Sequence, residues 1–263
     1  YRRQYPDDVL TVQHSLSADQ DVTALVDALA TQGRDPLLIC EKVGHFGAPV
    51  VTNLFASRTR IARMFGVAPA QLHETFQQRA NNPIAPRYVE TGPVLDEIFE
   101  GEAVDLALLP MLKHFASDRG PYITNAIIIA QDPVTGIANM SYHRSMRHAR
   151  QTLATSLHSR GHLWRMLQTA RERGEELHVA MVVGAHPLFM LAAAARLPFG
   201  SDERAVAGEQ AADHEGVDLL GALVRDHGLE VRHVAHDRVL ERDAVRAEDA
   251  ARAPRDLQRL ARV

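Results

Sequence analysis

Apolar and polar positions alternate at short range along this chain, and their spacing divides it into short strands and amphipathic helices. Asp8–Ser15 alternates as a strand. Ser17 is placed to cap the helix that follows, and Gln20, three residues on, completes a capping box. Val22, Leu25, Val26 and Leu29 form the apolar stripe of that helix, and Gly33 ends it. Pro36–Glu41 and Pro49–Asn53 read as strands separated by a Gly44–Gly47 turn. Ser57 opens a helix through Phe65, and Pro69 suits the first residue of another. The order β-α-β-β-α predicts an α/β lobe, read as support for a site elsewhere.

Asn81–Pro93, rich in Pro and Asn, reads as a surface connector, and Glu102–Leu112 is apolar. Ile123–Gln131 is almost continuously apolar and β-branched, which predicts a strand covered on both faces. A turn over Asp132-Pro133-Val134-Thr135-Gly136 joins it to Ile137–Arg147 as a hairpin. Arg160–Gly174 reads as a helix, Leu177–Gly184 as a buried strand, and Pro187–Leu197 as an alanine-rich helix stopped by Pro198. From Glu209 the chain turns acidic and arginine-rich and loses Ser, Thr and Asn. Helical patterns lie at Val217–Asp226 and Glu248–Arg262, with a strand pattern at Leu229–Ala235 between them. No internal repeat or low-complexity segment interrupts this order.

Composition narrows the function classes. The 263 residues are 46% hydrophobic and 24% charged, as in an ordinary globular protein with a sizeable core. A net charge of −4 gives no electrostatic case for nucleic acid or a membrane surface. Of the 29 basic residues only Lys42 and Lys113 are lysine, a bias that points to a GC-rich genome rather than a function. No apolar run reaches membrane-spanning length and no signal peptide is visible, so a cytoplasmic enzyme is the default expectation, with the chain opening on Tyr1 rather than Met. Cys40, the lone cysteine, sits in Leu37-Leu38-Ile39-Cys40 and reads as an inert core thiol.

The stretch with the most chemistry runs from Asp118 to Glu203. Asn139, His162 and Glu203 supply the oxygen and nitrogen donors that a hard or borderline divalent ion accepts. Taken singly, each has an ordinary explanation as a turn amide, a helix histidine and a first-turn carboxylate. Arg144 supplies a planar fork for a carboxylate or phosphate, though most arginines serve surface ion pairs. Strict strand alternation puts Asn139 and Ser141 on one face and Met140, Tyr142 and Arg144 on the other. If Asn139 and Arg144 meet one ligand, the strand bulges or the ligand wraps its edge. His158 and His162, four apart, match a spacing used by zinc hydrolases, but no Glu follows His158, so the His-Glu-x-x-His signature is missing.

Taken in order, these segments carry a resemblance. Tyr122-Ile123-Thr124, then Asn139-Met140-Ser141-Tyr142-His143-Arg144, then His162 on a helix, then Pro198 in a loop ending at Glu203 resemble the UbiD-like decarboxylases. The likeness runs from about Val9 to Gly208 and includes Pro49-Val50-Val51-Thr52-Asn53-Leu54-Phe55. It implies an N-terminal α/β lobe over residues 1–112, a prenylated-FMN and metal-binding domain with a split β-barrel-like sheet over 113–208, and an unmatched, helical tail over 209–263. It further implies that Asn139, His162 and Glu203 hold a divalent metal, usually manganese, which bridges to the flavin phosphate. Potassium is an accompanying ion in many members. Arg144 would lie over the flavin and hold the substrate carboxylate, with Thr124, Ser141, Tyr142 and Pro198 at cofactor-binding positions.

The activity so implied is reversible, non-oxidative decarboxylation of an aromatic or α,β-unsaturated acid. A flavin prenyltransferase would supply the cofactor, and a homo-oligomer is the expected assembly. The family's Glu-Gly-Pro-Phe-Gly-Glu-like segment, whose two carboxylates complete the acid–base set, has no counterpart here; Glu215-Gly216-Val217-Asp218 is only superficially alike. That departure keeps one alternative open, a flavin-phosphate-binding or assembly protein without catalysis, and the histidine spacing keeps another, a histidine-based metal hydrolase.

Overall fold

A computed structural model describes residues 1–85, 95–210, 222–225 and 230–233. In chain order the elements are β1 (Val9–Val12), α1 (Asp21–Thr31), β2 (Leu37–Cys40), β3 (Val50–Thr52), α2 (Arg58–Met64) and α3 (Leu72–Ala80). There follow β4 (Tyr122–Ile123), β5 (Ile127–Gln131), β6 (Ala138–Tyr142), β7 (Ser145–Ala149), β8 (Thr152–Thr155) and α4 (His162–Glu172). The remainder are β9 (Val179–Val183), α5 (Pro187–Ala193), α6 (Glu203–Gln210), β10 (Ala222–Arg225) and β11 (Glu230–His233). The mixed α/β class expected from the pattern is what the chain adopts. No helix among the described residues is long and apolar enough to cross a membrane.

The chain forms two compact units. The first takes residues 1–60 and 106–123 of the described chain. Its β1 pairs parallel with β2, and β2 antiparallel with β3. Helix α1 is the crossover that a parallel pair requires. Val22, Leu25 and Leu29, spaced three and four apart, bury one stripe of α1 against Val12, Leu38 and Cys40. Gly33 closes the helix at φ +69°, a conformation that costs a side chain-bearing residue more.

The capping box is not formed. Gln20, in the left-handed region at φ 71°, precedes the helix, and Ser17 instead accepts from the Asp19 N–H while its own N–H reaches Asp21. A tight Ser17–Asp21 turn therefore satisfies the local donors before the helix begins. Pro69 likewise stays outside α3, which starts at Leu72 after a turn held by Gln71.

Arg60 is the polar anchor of this unit, with no exposed surface. Its guanidinium takes Asp8 through Nε at 3.0 Å and Nη2 at 2.7 Å, and donates to the carbonyl oxygens of Asn53 and Asp35. Those contacts tie the 3₁₀ turn before β1 to the ends of β2 and β3.

The second unit comprises residues 61–105 and 124–233 of the described chain. One sheet runs β10-β9-β5-β6, and β8 pairs antiparallel with β7 and parallel with β11. β5 is a central strand, antiparallel to β6 on one side and β9 on the other. Ile127, Ile128 and Ala130 are buried, which explains its unbroken apolar run. The single strand expected over Ile123–Gln131 is interrupted, because Thr124 and Asn125 are exposed where the chain passes from one unit to the other.

Helices α2, α3 and α5 share a core of Ala62, Phe65, Leu72 and Leu188. The alanine-rich helix α5 ends at Ala193, earlier than expected, as the Ala194 and Ala195 N–H groups turn back to carbonyls two and three residues behind. Within Val217–Asp226, where the pattern favours helix, Ala222–Arg225 forms β10 on the edge of β9, so strand pairing overrides the local periodicity. β11 falls inside the expected strand Leu229–Ala235, and Glu248–Arg262 lies outside the described residues.

Candidate metal and flavin-phosphate site

The site begins with a turn. The Asp132 carboxylate accepts from the N–H groups of Val134 at 2.9 Å and Thr135 at 2.8 Å, and from the Thr135 hydroxyl. Gly136 takes φ +71° to complete it. This closes the β5–β6 hairpin so that Gln131 faces Ala138 and Ala130 faces Asn139. A slip of one residue would send Asn139 to the opposite face, so the turn fixes its direction.

β6 is an edge strand, and edge strands present unpaired N–H groups. Glu203, the first residue of α6, caps that edge: its Oε2 accepts from the Met140 N–H at 3.0 Å, and its Oε1 from the Asn139 amide at 2.8 Å. Asp202 precedes it and accepts from the Arg204 N–H at 2.9 Å, which orients the helix start. Asn139 is 4% exposed and Glu203 2%. Burial pushes the Glu203 carboxyl above its usual range, opposed by the N–H groups of Met140 and Glu203 itself, the His162 charge and the Asn139 amide. A buried carboxylate is tolerated when such donors or a cation offset the desolvation.

His162, the first residue of α4, brings Nδ1 to 3.3 Å from the same Asn139 amide nitrogen. Its ring stands edge-on to Phe199 at 5.2 Å, and the Arg165 guanidinium lies 4.0 Å from the Phe199 ring centre. Asn139, His162 and Glu203 thus meet at one point although they come from three elements. Both separations, 2.8 and 3.3 Å, are measured to the Asn139 amide nitrogen; with the amide turned over, its oxygen would take that place, at a spacing close to the roughly 3 Å between neighbouring donors on one octahedral ion. An amide oxygen, an imidazole and a carboxylate suit a hard or borderline ion such as Mn2+. The donor set fits a divalent metal.

Beside His162 opens a cleft of about 480 Å³ lined by Arg160, Trp164, Arg165, Gln168 and Phe199, among others. Gln168 lines this cleft, and its buried Nε2 has no hydrogen-bond partner among the described residues. Two arginines, an orphan amide and an adjoining cation position fit a phosphate-bearing cofactor. In a chain this rich in arginine, Arg160 and Arg165 carry no local signature, and neither does Gln168. The available signal was helical spacing for two of them: Arg165 and Gln168 lie on α4, which begins at His162, while Arg160 lies just before it.

The remaining candidates fall nearby in the chain. Ser141, on the Asn139 face of β6, places Oγ 3.4 Å from the Asn139 Oδ1 and 3.0 Å from His143 Nε2. Tyr142, on the other face, donates its hydroxyl to the Met190 carbonyl at 2.8 Å, and burial holds that phenol protonated. Arg144 is exposed and lies in the two-residue joint between β6 and β7, where its carbonyl accepts from the Ser156 N–H at 3.1 Å. The joint ends the alternation after Tyr142, so strand parity no longer separates Arg144 from Asn139. Thr124 and Pro198 are exposed in loops, and the Pro198 carbonyl accepts from the Ser201 N–H in the approach to α6.

The zinc-hydrolase spacing is not realised. His158 lies before α4 rather than on it, and its Nδ1 accepts from the Arg160 N–H at 3.1 Å. The two histidines therefore do not share a helix face.

Residues 87–225 match the UbiD Rift-related domain of 3-octaprenyl-4-hydroxybenzoate carboxy-lyase, and residues 2–80 match its N-terminal domain. The anhydromevalonate phosphate decarboxylase of Methanothermobacter thermautotrophicus is 32% identical over 231 residues, 87% of this chain and 52% of that protein. The UbiD-class enzyme HmfF from Pelotomaculum thermopropionicum, solved in complex with FMN, is similar with a TM-score of 0.72 at 31% identity, over 79% of this chain and 46% of that one. An evolved dimeric form of HmfF in complex with prFMN gives a TM-score of 0.73 at 31% identity, over 79% and 48%. The chain spans about half the length of these relatives.

Proposed function

The chain belongs to the UbiD family, and on that premise we propose that it takes part in reversible, non-oxidative decarboxylation of an aromatic or α,β-unsaturated carboxylic acid. The observation that carries the reading is the meeting of Asn139, His162 and Glu203 beside a cleft that holds two arginines and the orphan Gln168 amide. On this reading those three side chains hold a divalent metal, Mn2+ with K+ as a companion ion, and the metal ties a flavin phosphate to the protein. Prenylated FMN, when bound, supplies an electron sink for the carbon that loses CO2.

The chain's own residues do the rest. Arg144 orients the substrate carboxylate through its fork, with Thr124, Ser141, Tyr142 and Pro198 at the cofactor wall. Proton delivery to the product carbon falls to an acid group near Arg144. A small-molecule acid is the substrate, a flavin prenyltransferase the supplier of the cofactor, a homo-oligomer the working assembly and the cytoplasm its setting.

A second reading, a flavin-phosphate-binding or assembly protein, is favoured by one observation. Glu203, the buried carboxylate of the site, is already engaged by Asn139 and Met140 and is not a free proton donor. One experiment separates the two: co-expression with a flavin prenyltransferase, then absorbance, metal content and CO2 release over aromatic and acrylic acids. Turnover supports the decarboxylase, and a flavin- and metal-loaded protein inert across the panel supports the binding protein.

A further inference from the structure

The side chains behind Asn139 form a chain with a fixed direction. His143 Nδ1 lies 3.3 Å from the Ser156 carbonyl oxygen, which accepts only, so Nδ1 carries the proton. In a neutral ring Nε2 is then bare and accepts from the Ser141 hydroxyl at 3.0 Å. A hydroxyl has one proton. Once it is given to His143, Ser141 can only accept from the neighbouring Asn139 amide, 3.4 Å away. A half-turn of that amide exchanges Oδ1 and Nδ2 without other movement, sets the NH2 on Ser141, and turns Oδ1 toward His162 and Glu203.

We propose that His143 is a positioning residue: through Ser141 it selects the Asn139 amide orientation that aims Oδ1 at the point shared by His162 and Glu203, completing the cation site. This rests on the reading of that point as a cation site. The orientation seen in the structure places the amide nitrogen 2.8 Å from Glu203 and has the Ser141 hydroxyl donating to Asn139 Oδ1, which leaves His143 to donate from both nitrogens. That needs a charged ring, and burial disfavours it by holding the His143 pKa below the ordinary value, against the Ser156 contact. With a neutral ring, oxygen-inward is the orientation in which all four groups are satisfied, provided a cation sits between Oδ1 and the Glu203 carboxylate.

The test combines tautomer and affinity. In the full chain labelled with 15N-histidine and loaded with Mg2+, His143, assigned by its loss in His143→Gln, should show a protonated Nδ1 and a bare Nε2. Manganese titrations followed by electron paramagnetic resonance should give His143→Gln, which offers an acceptor in place of Nε2, an affinity within about threefold of the parent, and His143→Leu a 10- to 100-fold loss, about what other outer-shell partners cost. Thermal unfolding in EDTA checks that each variant is folded. If His143→Leu does not fold, Ser141→Ala takes its place with the same expected loss. A protonated Nε2 with bare Nδ1, parent-like affinity in the folded Leu or Ala variant, or equal weakness of Gln and Leu overturns the relay. A parent that binds no Mn2+ overturns instead the cation reading on which it rests.

Discussion

Asn139 and Glu203, 64 residues apart in sequence, meet at 2.8 Å on the free edge of β6. The carboxylate also takes the Met140 N–H, so one side chain closes a strand edge and presents charge at the candidate ion position. Glu203→Gln keeps the shape and removes the charge. Manganese affinity should fall at least 100-fold, while the unfolding temperature in EDTA changes little or rises, because a buried charge has been removed. Equal Mn2+ affinity in Glu203→Gln and parent, measured by calorimetric titration, would remove Glu203 from the ligand set.

Arg144 separates catalysis from binding. It is exposed in the β6–β7 joint, and none of the hydrogen bonds described for the Asn139–His162–Glu203 cluster involves it. Arg144→Ala should keep flavin and metal content and lose turnover by about a hundredfold or more, as expected for a charge-assisted contact that strengthens in the transition state. Arg144→Lys should recover little, since a point charge lacks the bidentate fork. CO2 release and flavin absorbance on the same samples decide it, and an Arg144→Ala protein of parental rate removes Arg144 from the chemistry.

The Asp132 turn carries a pH-dependent share of stability. Burial alone raises its carboxyl, but the Thr135 and Val134 N–H groups, the Thr135 hydroxyl and the Arg165 charge hold it below the ordinary 3.8. A depressed folded-state value adds stability above the unfolded pKa, and that share is lost as pH falls through the folded one. Asp132→Asn should therefore cost about 1 kcal/mol at pH 7. The gap from the parent should close below pH 3.8. Urea melts at pH 7, 4 and 3 check this, and a gap that widens on acidification contradicts it.

Arg60 tests the first unit. Removing one partner of a buried, hydrogen-bonded ion pair leaves the other charge unmatched, so Arg60→Ala should destabilise by about 3–5 kcal/mol. Arg60→Met with Asp8→Leu should recover much of that, because both charges leave together. Equilibrium denaturation followed by near-ultraviolet circular dichroism of the single and double variants measures the difference.

Much of this was legible along the chain. The hairpin at Asp132–Gly136 announced itself through turn chemistry, and the α1 stripe of Val22, Leu25 and Leu29 through its period. Asn139, His162 and Glu203 could be grouped only by motif order, since nothing local says that a carboxylate 64 residues away will dock on the edge of β6. Ser17 and Gln20 misled because a capping box and a tight turn draw on the same residue types. Ala222–Arg225 misled because the neighbouring strand, not local periodicity, decides its conformation. Arg160 and Arg165 were hidden by composition, and His143 by its place inside a motif whose other members took the roles.

On the proposed function, a divalent metal on Asn139, His162 and Glu203 couples a flavin phosphate to this chain. Titration of FMN into the purified chain by fluorescence quenching, in Mn2+ and in EDTA, measures that coupling directly. FMN should bind about tenfold or more tighter with Mn2+, a linkage of about 1.4 kcal/mol or more, and the difference should disappear in His162→Ala. Equal FMN affinity in Mn2+ and EDTA, or an undiminished Mn2+ effect in His162→Ala, would contradict it.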